Sequence, residues 1–151
     1  DAIKVLLLEE SLSCEIQLES FDFPIKIAGK VDRIEERNGV IRIIDYKTGK
    51  VEKGSVTLSS WDGLTEEIKN DKIIQVLAYA FMFEKEAKGL PIEAGIISFK
   101  NLKAGFFPFN FKIGKESTTI INQEILDDYL EQIVLLLAEI LEETIPFVEK
   151  I

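Results

Sequence analysis

An Asn-Gly pair between two apolar-rich runs restricts the fold of this sequence more than any other feature. Asn38 and Gly39 follow one run that is rich in Ile and Val and precede another. Asn-Gly in this setting is the strongest short-range signal for a two-residue β-hairpin turn, whose central residues both need positive φ. We therefore predict a hairpin in which Arg37 faces Val40.

This register brings charged side chains together. It places Asp32 opposite Asp45 and Lys30 opposite Lys47, and all four side chains on one face of the hairpin, because strand side chains alternate between faces. Like charges in directly opposed positions are destabilising. A divalent cation would remove the conflict, since Mg²⁺ prefers carboxylate oxygens. Lys47 would then lie beside the metal, where it could bind a phosphate or orient and deprotonate an attacking water.

The alternative is that these charges form a solvated strand face, and geometry alone leaves both interpretations open. The nearly continuous aliphatic stretch 40–44 favours a buried central strand, where an unpartnered Asp45 would be costly. The metal hypothesis depends on the register. A three-residue bulged loop would place Asp32 and Asp45 on opposite faces.

Hydrophobic periodicity and turn residues predict an α/β pattern in the rest of the chain. Asn70 is expected to cap a helix that ends near Gly89 and Pro91, and Pro108 favours a sheet edge. The predicted strands are 3–8, 14–20, 92–100 and 105–112, the predicted helices are 71–88 and about 122–144, and 51–70 is a predicted loop.

Two residue types limit the possible chemistry. The chain has no histidine and one cysteine, Cys14. This excludes hydrolysis by a histidine base, histidine-ligated metal centres and cysteine-built zinc sites, so any metal must be held by oxygen. The lone cysteine is typical of the reducing cytoplasm, where we expect the protein. No apolar run approaches the roughly 20 residues of a membrane-spanning helix.

The formal net charge of −9 argues at first against a polyanionic partner. The charge is unevenly distributed, however. Residues 116–151 hold nine acidic residues and one lysine, whereas residues 21–115 hold 16 basic and 13 acidic residues. The acidity therefore belongs to the C-terminal helix, and the predicted sheet region is mildly basic.

The segment GKVDRIEERNGVIRIIDYKTGK, followed by QVLAY at residues 75–79, resembles the RecB-like branch of the PD-(D/E)XK nuclease superfamily. The resemblance implies a central mixed β-sheet with flanking helices and a restriction-endonuclease-like core. Family members usually have an upstream helix that supplies a further metal ligand. This chain begins with a predicted strand, so we expect that helix to be absent.

The resemblance also implies roles for particular residues. Asp32 and Asp45 match the carboxylates that ligate metal in the family, and Tyr46 would add its backbone carbonyl. Lys47 matches the catalytic lysine. Gln75 and Tyr79 match a helix that lies against the active site and helps to position DNA or the lysine.

The residues support this helix independently of the resemblance. Gln75 and Tyr79 are four positions apart and so share a helix face. Gln75 is the only strongly polar side chain between Ile73 and Phe83, and a glutamine in such an apolar stretch needs hydrogen-bond partners. An active site could supply them. The alternative is a structural bond to backbone.

Other residues allow two interpretations each. Lys50 and Lys53 follow the DYKTG segment and, with Lys30, are candidates for phosphate contacts, although loop lysines are usually only solubilising. Trp61 and the phenylalanines at 106, 107, 109 and 111 could stack on bases, but aromatic residues at strand spacing are more often part of the core.

We expect a single nuclease-like domain over residues 1–151, a C-terminal fragment of a longer protein. The resemblance implies a deoxyribonuclease, an exonuclease that uses Mg²⁺ or Mn²⁺ in recombination and repair, with DNA as substrate and a helicase domain or subunit as partner. The isolated fragment could be inactive if a ligand lies outside it. The alternative is a catalytically inactive nuclease-like module that binds DNA or a partner subunit.

Overall fold

A computed structural model of the chain describes residues 2–19 and 21–141. Two α-helices, joined to strands by short 3₁₀ turns, lie against two sheets. The strands are β1 (Ile3–Ile16), β2 (Ile25–Arg37), β3 (Val40–Lys47), β4 (Thr57–Leu58), β5 (Ile92–Ser98), β6 (Phe106–Pro108), β7 (Asn110–Ile113) and β8 (Glu116–Thr118), and the helices are α1 (Asp71–Phe83) and α2 (Gln123–Leu141).

The larger sheet has five strands in the order β1-β2-β3-β5-β6, and β4, β7 and β8 form a smaller sheet. In the larger sheet β3 and β5 are parallel, while the other neighbouring pairs are antiparallel. A parallel pair needs a crossover connection, and α1 lies in the crossover between β3 and β5. The predicted mixed sheet with flanking helices is confirmed.

The β2–β3 hairpin has the predicted turn. Asn38 and Gly39 have φ of 53° and 81°, the positive values that this turn requires. Arg37 pairs with Val40, and the register continues without interruption to Arg33 and Ile44. The prediction for this turn is therefore confirmed, and β3 lies at the centre of the sheet.

The core lies between the larger sheet and α1. Its fully buried members include Ile34 of β2, Ile43 of β3 and Ile96 of β5, together with Ile73 and Leu77 of the helix. Burying such side chains contributes about 1.5–3 kcal/mol each to folding. This packing fixes α1 over the carboxyl-terminal half of β3.

Three predicted strands differ from the structure. The strands predicted at 3–8 and 14–20 are one strand, β1, whose register with β2 shifts between Val5 and Leu7. Polar residues in mid-strand, which we interpreted as a break, lie at exposed positions of a sheet edge. The strand predicted at 105–112 is divided at the buried Phe109, so that β6 and β7 belong to different sheets.

The helix predicted at 71–88 ends as an α-helix at Phe83 and continues as a 3₁₀ turn to Ala87. Asn70 occupies the cap position, but its side chain donates to the Leu64 carbonyl at 3.2 Å instead of capping the helix. Pro108 lies in the edge strand β6, as predicted. The last predicted residues of α2, 142–144, lie outside the described residues.

No helix within the described ranges is both long enough and apolar enough to cross a membrane.

Candidate active site at the carboxyl end of β3

The candidate site lies where β2 and β3 separate. Their ladder ends at Arg33 and Ile44, whereas the parallel ladder between β3 and β5 continues to Lys47 and Ser98. Asp45 is thus held in the sheet on one side only. Its residue is nevertheless 5% exposed, because α1 covers this part of the strand.

Beyond the end of this ladder, the side chain of Asp32 becomes the hydrogen-bond partner of the β3 backbone. Continuing the register would pair Tyr46 with Val31, but the Tyr46 N–H donates to Asp32 Oδ2 at 2.8 Å. This bond satisfies a backbone donor that the separating strands would leave open. It also brings the Asp32 carboxyl group close enough to Asp45 for the two to interact directly.

A chain of hydrogen bonds connects β3 to α1 and back to β2. The Lys47 ammonium lies 2.8 Å from Asp45 Oδ2 and donates to Gln75 Oε1 at 2.8 Å. Gln75 Nε2 donates to the Tyr79 hydroxyl at 3.0 Å, and that hydroxyl donates to the Lys30 carbonyl at 2.9 Å. Each polar side chain on this face of α1 therefore has a defined partner.

Burial and charge shift two pKa values at the site. Burial raises the pKa of the Asp45 carboxyl, the Lys47 ammonium opposes the rise, and the Asp32 carboxylate adds to it. Burial also raises the pKa of the Tyr79 phenol, and the charge of Asp45 raises it further. Tyr79 is therefore protonated at neutral pH and can donate its hydrogen bond.

The donor set suits a hard divalent cation. Asp45 Oδ2 is buried, lies 2.8 Å from the Lys47 ammonium, and belongs to a carboxyl group that also interacts with Asp32. Asp32 supplies a second carboxylate. Mg²⁺ is usually held by one or two carboxylates, with water and substrate phosphate completing the shell. Residues 2–19 and 21–141 contain no group of three or more His, Cys, Asp or Glu side chains placed to hold a metal.

The structure brings together Asp32, Asp45, Lys47, Gln75 and Tyr79. The backbone of Tyr46 is part of the same arrangement through its N–H, whereas the proposed role of its carbonyl stays a prediction.

The candidate DNA-contacting lysines lie outside the hydrogen-bonded chain. Lys30 contributes its carbonyl to that chain, but its side chain is exposed, and the β2–β3 ladder ends before the predicted pairing with Lys47. Lys50 and Lys53 are exposed beyond the end of β3.

The sequence interpretation missed Ser98. This side chain is fully buried, donates to the Gly49 carbonyl at 2.6 Å and accepts from the Lys100 N–H at 3.2 Å. It thereby connects the end of β5 to the loop that follows Lys47. A serine at the end of the apolar strand IEAGIIS was the available signal.

Comparison with known proteins places this geometry in a wider context. A family model of the PD-(D/E)XK nuclease superfamily matches residues 4–150. No curated protein is significantly similar to the chain. The crystal structure of SSO0001 is similar at 19% identity and a TM-score of 0.36, and the match covers 85% of this chain and 50% of that one. The chain thus spans about half the length of that solved protein.

Proposed function

Because the chain belongs to the PD-(D/E)XK nuclease superfamily, we propose that it is a metal-dependent deoxyribonuclease domain with its active site at the end of β3. The observation that carries the proposal is the buried Asp45 carboxylate, which interacts with a second carboxylate, that of Asp32, and has the Lys47 ammonium 2.8 Å from its Oδ2. Two opposed carboxylates with an adjacent ammonium match the chemistry of phosphodiester hydrolysis.

Asp32, Asp45 and the Tyr46 carbonyl are the groups that would hold the ion, Mg²⁺ or Mn²⁺. A bound divalent ion polarises the scissile phosphate and lowers the pKa of a coordinated water. Asp32 keeps one oxygen for this purpose, since its Oδ2 is already bonded to the Tyr46 N–H. Superfamily nucleases generally use divalent metals, and the donor chemistry here agrees with that use.

Lys47 is the residue that we assign to the reacting phosphate and water. Its ammonium has three protons, of which one is directed to Gln75 Oε1, and it lies against Asp45 Oδ2. An ammonium N–H that is not used in these two contacts can bind a phosphate oxygen or orient an attacking water. Gln75 and Tyr79 act as positioning residues, because they set the direction of the lysine from α1.

The biological setting is the part of the proposal that relies on the resemblance. The DRIEE and DYKTG strands and the QVLAY helix resemble those of RecB-like nucleases, and this resemblance suggests exonuclease action in recombination and repair beside a helicase domain or subunit. The basic excess of residues 21–115 supports DNA as the substrate. A second candidate, an inactive module that binds DNA or a partner subunit, is favoured by the limited set of carboxylates in the described ranges.

The test is cleavage of linear DNA with Mg²⁺, Mn²⁺, or EDTA. We expect metal-dependent cleavage that Lys47→Ala reduces by about 10²- to 10⁴-fold, the range for loss of a group that transfers a proton. Asp45→Ala, which removes a proposed metal ligand, should also strongly reduce cleavage. Lys85→Ala and Asp22→Ala change the same residue types at exposed positions and should leave cleavage unchanged.

Cleavage that survives both site substitutions would contradict the assignment of the site. A folded chain that binds DNA and does not cut it with either metal would instead support the inactive module.

A further inference from the structure

A pair of stacked aromatic rings lies at the carboxyl end of β3, on the sheet face opposite the carboxylates. The Tyr46 and Phe99 ring centroids are 5.2 Å apart, with an interplanar angle of 18°. Phe99 is 54% exposed, so much of its side chain stays open to solvent despite the contact with Tyr46. The hairpin, the core and the hydrogen-bonded site do not need this exposed ring.

The backbone holds the ring pair rigidly beside the site. The Phe99 N–H donates to the Lys47 carbonyl at 2.8 Å, and the buried Ser98 connects the same loop to Gly49. Successive strand residues point to opposite faces, so Tyr46 projects away from Asp45. The aromatic pair and the proposed metal ligand are therefore carried by adjacent residues of one strand.

The surroundings of the ring pair are cationic. Residues 46–51 contain two lysines and no acidic residue, and residues 94–115 contain four lysines and no acidic residue. Lys50, Lys100 and Lys103 are exposed in the two loops that Ser98 connects. An exposed aromatic side chain in loops that carry lysines is complementary to a nucleic acid strand, whose phosphates and base faces bind to these two kinds of group.

We infer that the Tyr46–Phe99 pair is a stacking platform for an unpaired nucleobase of the strand that the site cleaves, on the sheet face opposite Asp45. The base must be unpaired because a base inside a duplex already has both faces covered by its neighbours. The inference rests on the proposed function and specifies its substrate: a DNA strand that is single-stranded where it crosses the end of β3.

The first test measures binding of a fluorescent oligothymidylate of about 12 nucleotides by anisotropy in EDTA, so that no cleavage occurs. Phe99→Ala should weaken binding by about 5- to 150-fold, the range for loss of one stacked base. Phe99→Trp should bind at least as tightly as wild type. Leu102→Ala, which alters a neighbouring apolar side chain that is 61% exposed, should bind as wild type does.

The second test identifies the base. A series of oligonucleotides, each with one abasic position, should contain a position at which wild type loses about as much affinity as Phe99→Ala loses on the intact strand. Phe99→Ala should lose nothing further at that position, because the two changes remove the same contact. Thermal unfolding of each variant verifies that the exposed substitutions leave the fold intact.

The platform is disproved if Phe99→Ala binds the intact strand as wild type does, or if its loss is equal on intact and abasic strands. It is also disproved if blunt duplex binding falls by the same factor as single-strand binding. These readouts need no cleavage. Loss of single-strand binding in Phe99→Ala without any cleavage by wild type would contradict the nuclease and leave the platform standing. Cleavage by wild type, with binding and cleavage that are unchanged in Phe99→Ala, would contradict the platform and leave the nuclease standing.

Discussion

Two carboxylates in the same sheet are buried almost equally but have opposite surroundings. Glu35 is 3% exposed and Asp45 is 5% exposed. Both oxygens of Glu35 accept hydrogen bonds, from Arg33 Nε at 2.7 Å and Arg37 Nε at 3.1 Å. Asp45 has one ammonium, 2.8 Å from its Oδ2, and a neighbouring carboxylate that opposes its charge.

The two groups therefore ionise differently. Burial acts against the charge of Glu35, but the hydrogen bonds and charges of Arg33 and Arg37 together outweigh it and hold the pKa below its usual value. Burial raises the pKa of Asp45, and Lys47 does not offset it. The comparison shows how one sheet contains both a satisfied structural charge and a charge with capacity for another cation.

The largest expected effect is on stability at the satisfied charge. Glu35→Ala leaves two arginines without their shared partner, and breaking a buried ion pair is strongly destabilising. Because the arginines stay partly exposed, we expect the free energy of unfolding to fall by about 2–4 kcal/mol. Urea denaturation measures this as a lower midpoint. Glu116→Ala, at an exposed position of β8, should change stability by less than about 0.5 kcal/mol.

Lowering the pH should also reveal how much ionised Glu35 contributes to stability. Since the folded pKa of Glu35 lies below its unfolded value of about 4.3, its stabilising effect is complete above that value and is lost as pH falls through the folded pKa. The stability difference between wild type and Glu35→Gln should therefore shrink, by on the order of 1 kcal/mol, between about pH 6 and pH 3. A difference that is constant with pH would contradict the assigned direction.

Tyr79→Phe tests the hydrogen-bonded chain. It removes a donor to the Lys30 carbonyl and an acceptor for Gln75, so we expect a loss of about 1 kcal/mol in stability together with slower DNA cleavage. Tyr129→Phe is the matched control, because that buried hydroxyl donates to the Ile74 carbonyl at 3.1 Å. It should lose similar stability and retain cleavage. Equal cleavage by both variants would remove Tyr79 from the positioning role.

Asp45→Asn should have the smallest effect on stability and the opposite sign. A raised folded pKa means that ionised Asp45 destabilises the fold at neutral pH, and this penalty disappears below the unfolded pKa. Without metal, the variant should be as stable as wild type at pH 7, or more stable by up to about 1 kcal/mol, with no gain in acid. Urea denaturation of both proteins in EDTA, at pH 7 and in acid, measures this difference in stability. A clear loss of stability would make Asp45 a structural charge like Glu35.

The sequence predicted the hairpin correctly because its information is local. Asn38 and Gly39 adopt the backbone angles that the turn requires, and the register from Arg37 and Val40 follows from the turn alone. The Gln75–Tyr79 face was equally predictable, since helical spacing fixes it. The turn rule was enough to place the aspartates and the lysine near one another, whereas the position of the helix face beside them was what the family resemblance implied.

Other features depend on contacts that local rules do not reach. The Tyr46 N–H bonds to a side chain because two strands separate, which depends on the whole sheet. Likewise, Phe99 lies against Tyr46 only because β5 lies parallel to β3. The continuity of β1 could not be predicted, since its exposed mid-strand polar residues are compatible with a sheet edge as well as with a loop.

The bond between the Tyr46 N–H and Asp32 Oδ2 also determines when Asp32 loses its torsional freedom. Immobilising a flexible side chain at a binding site costs roughly 0.5–1.5 kcal/mol. In this protein that entropy is lost during folding, when the backbone donor captures the carboxylate. A cation that binds here meets a preorganised ligand, so more of its interaction energy is available as affinity.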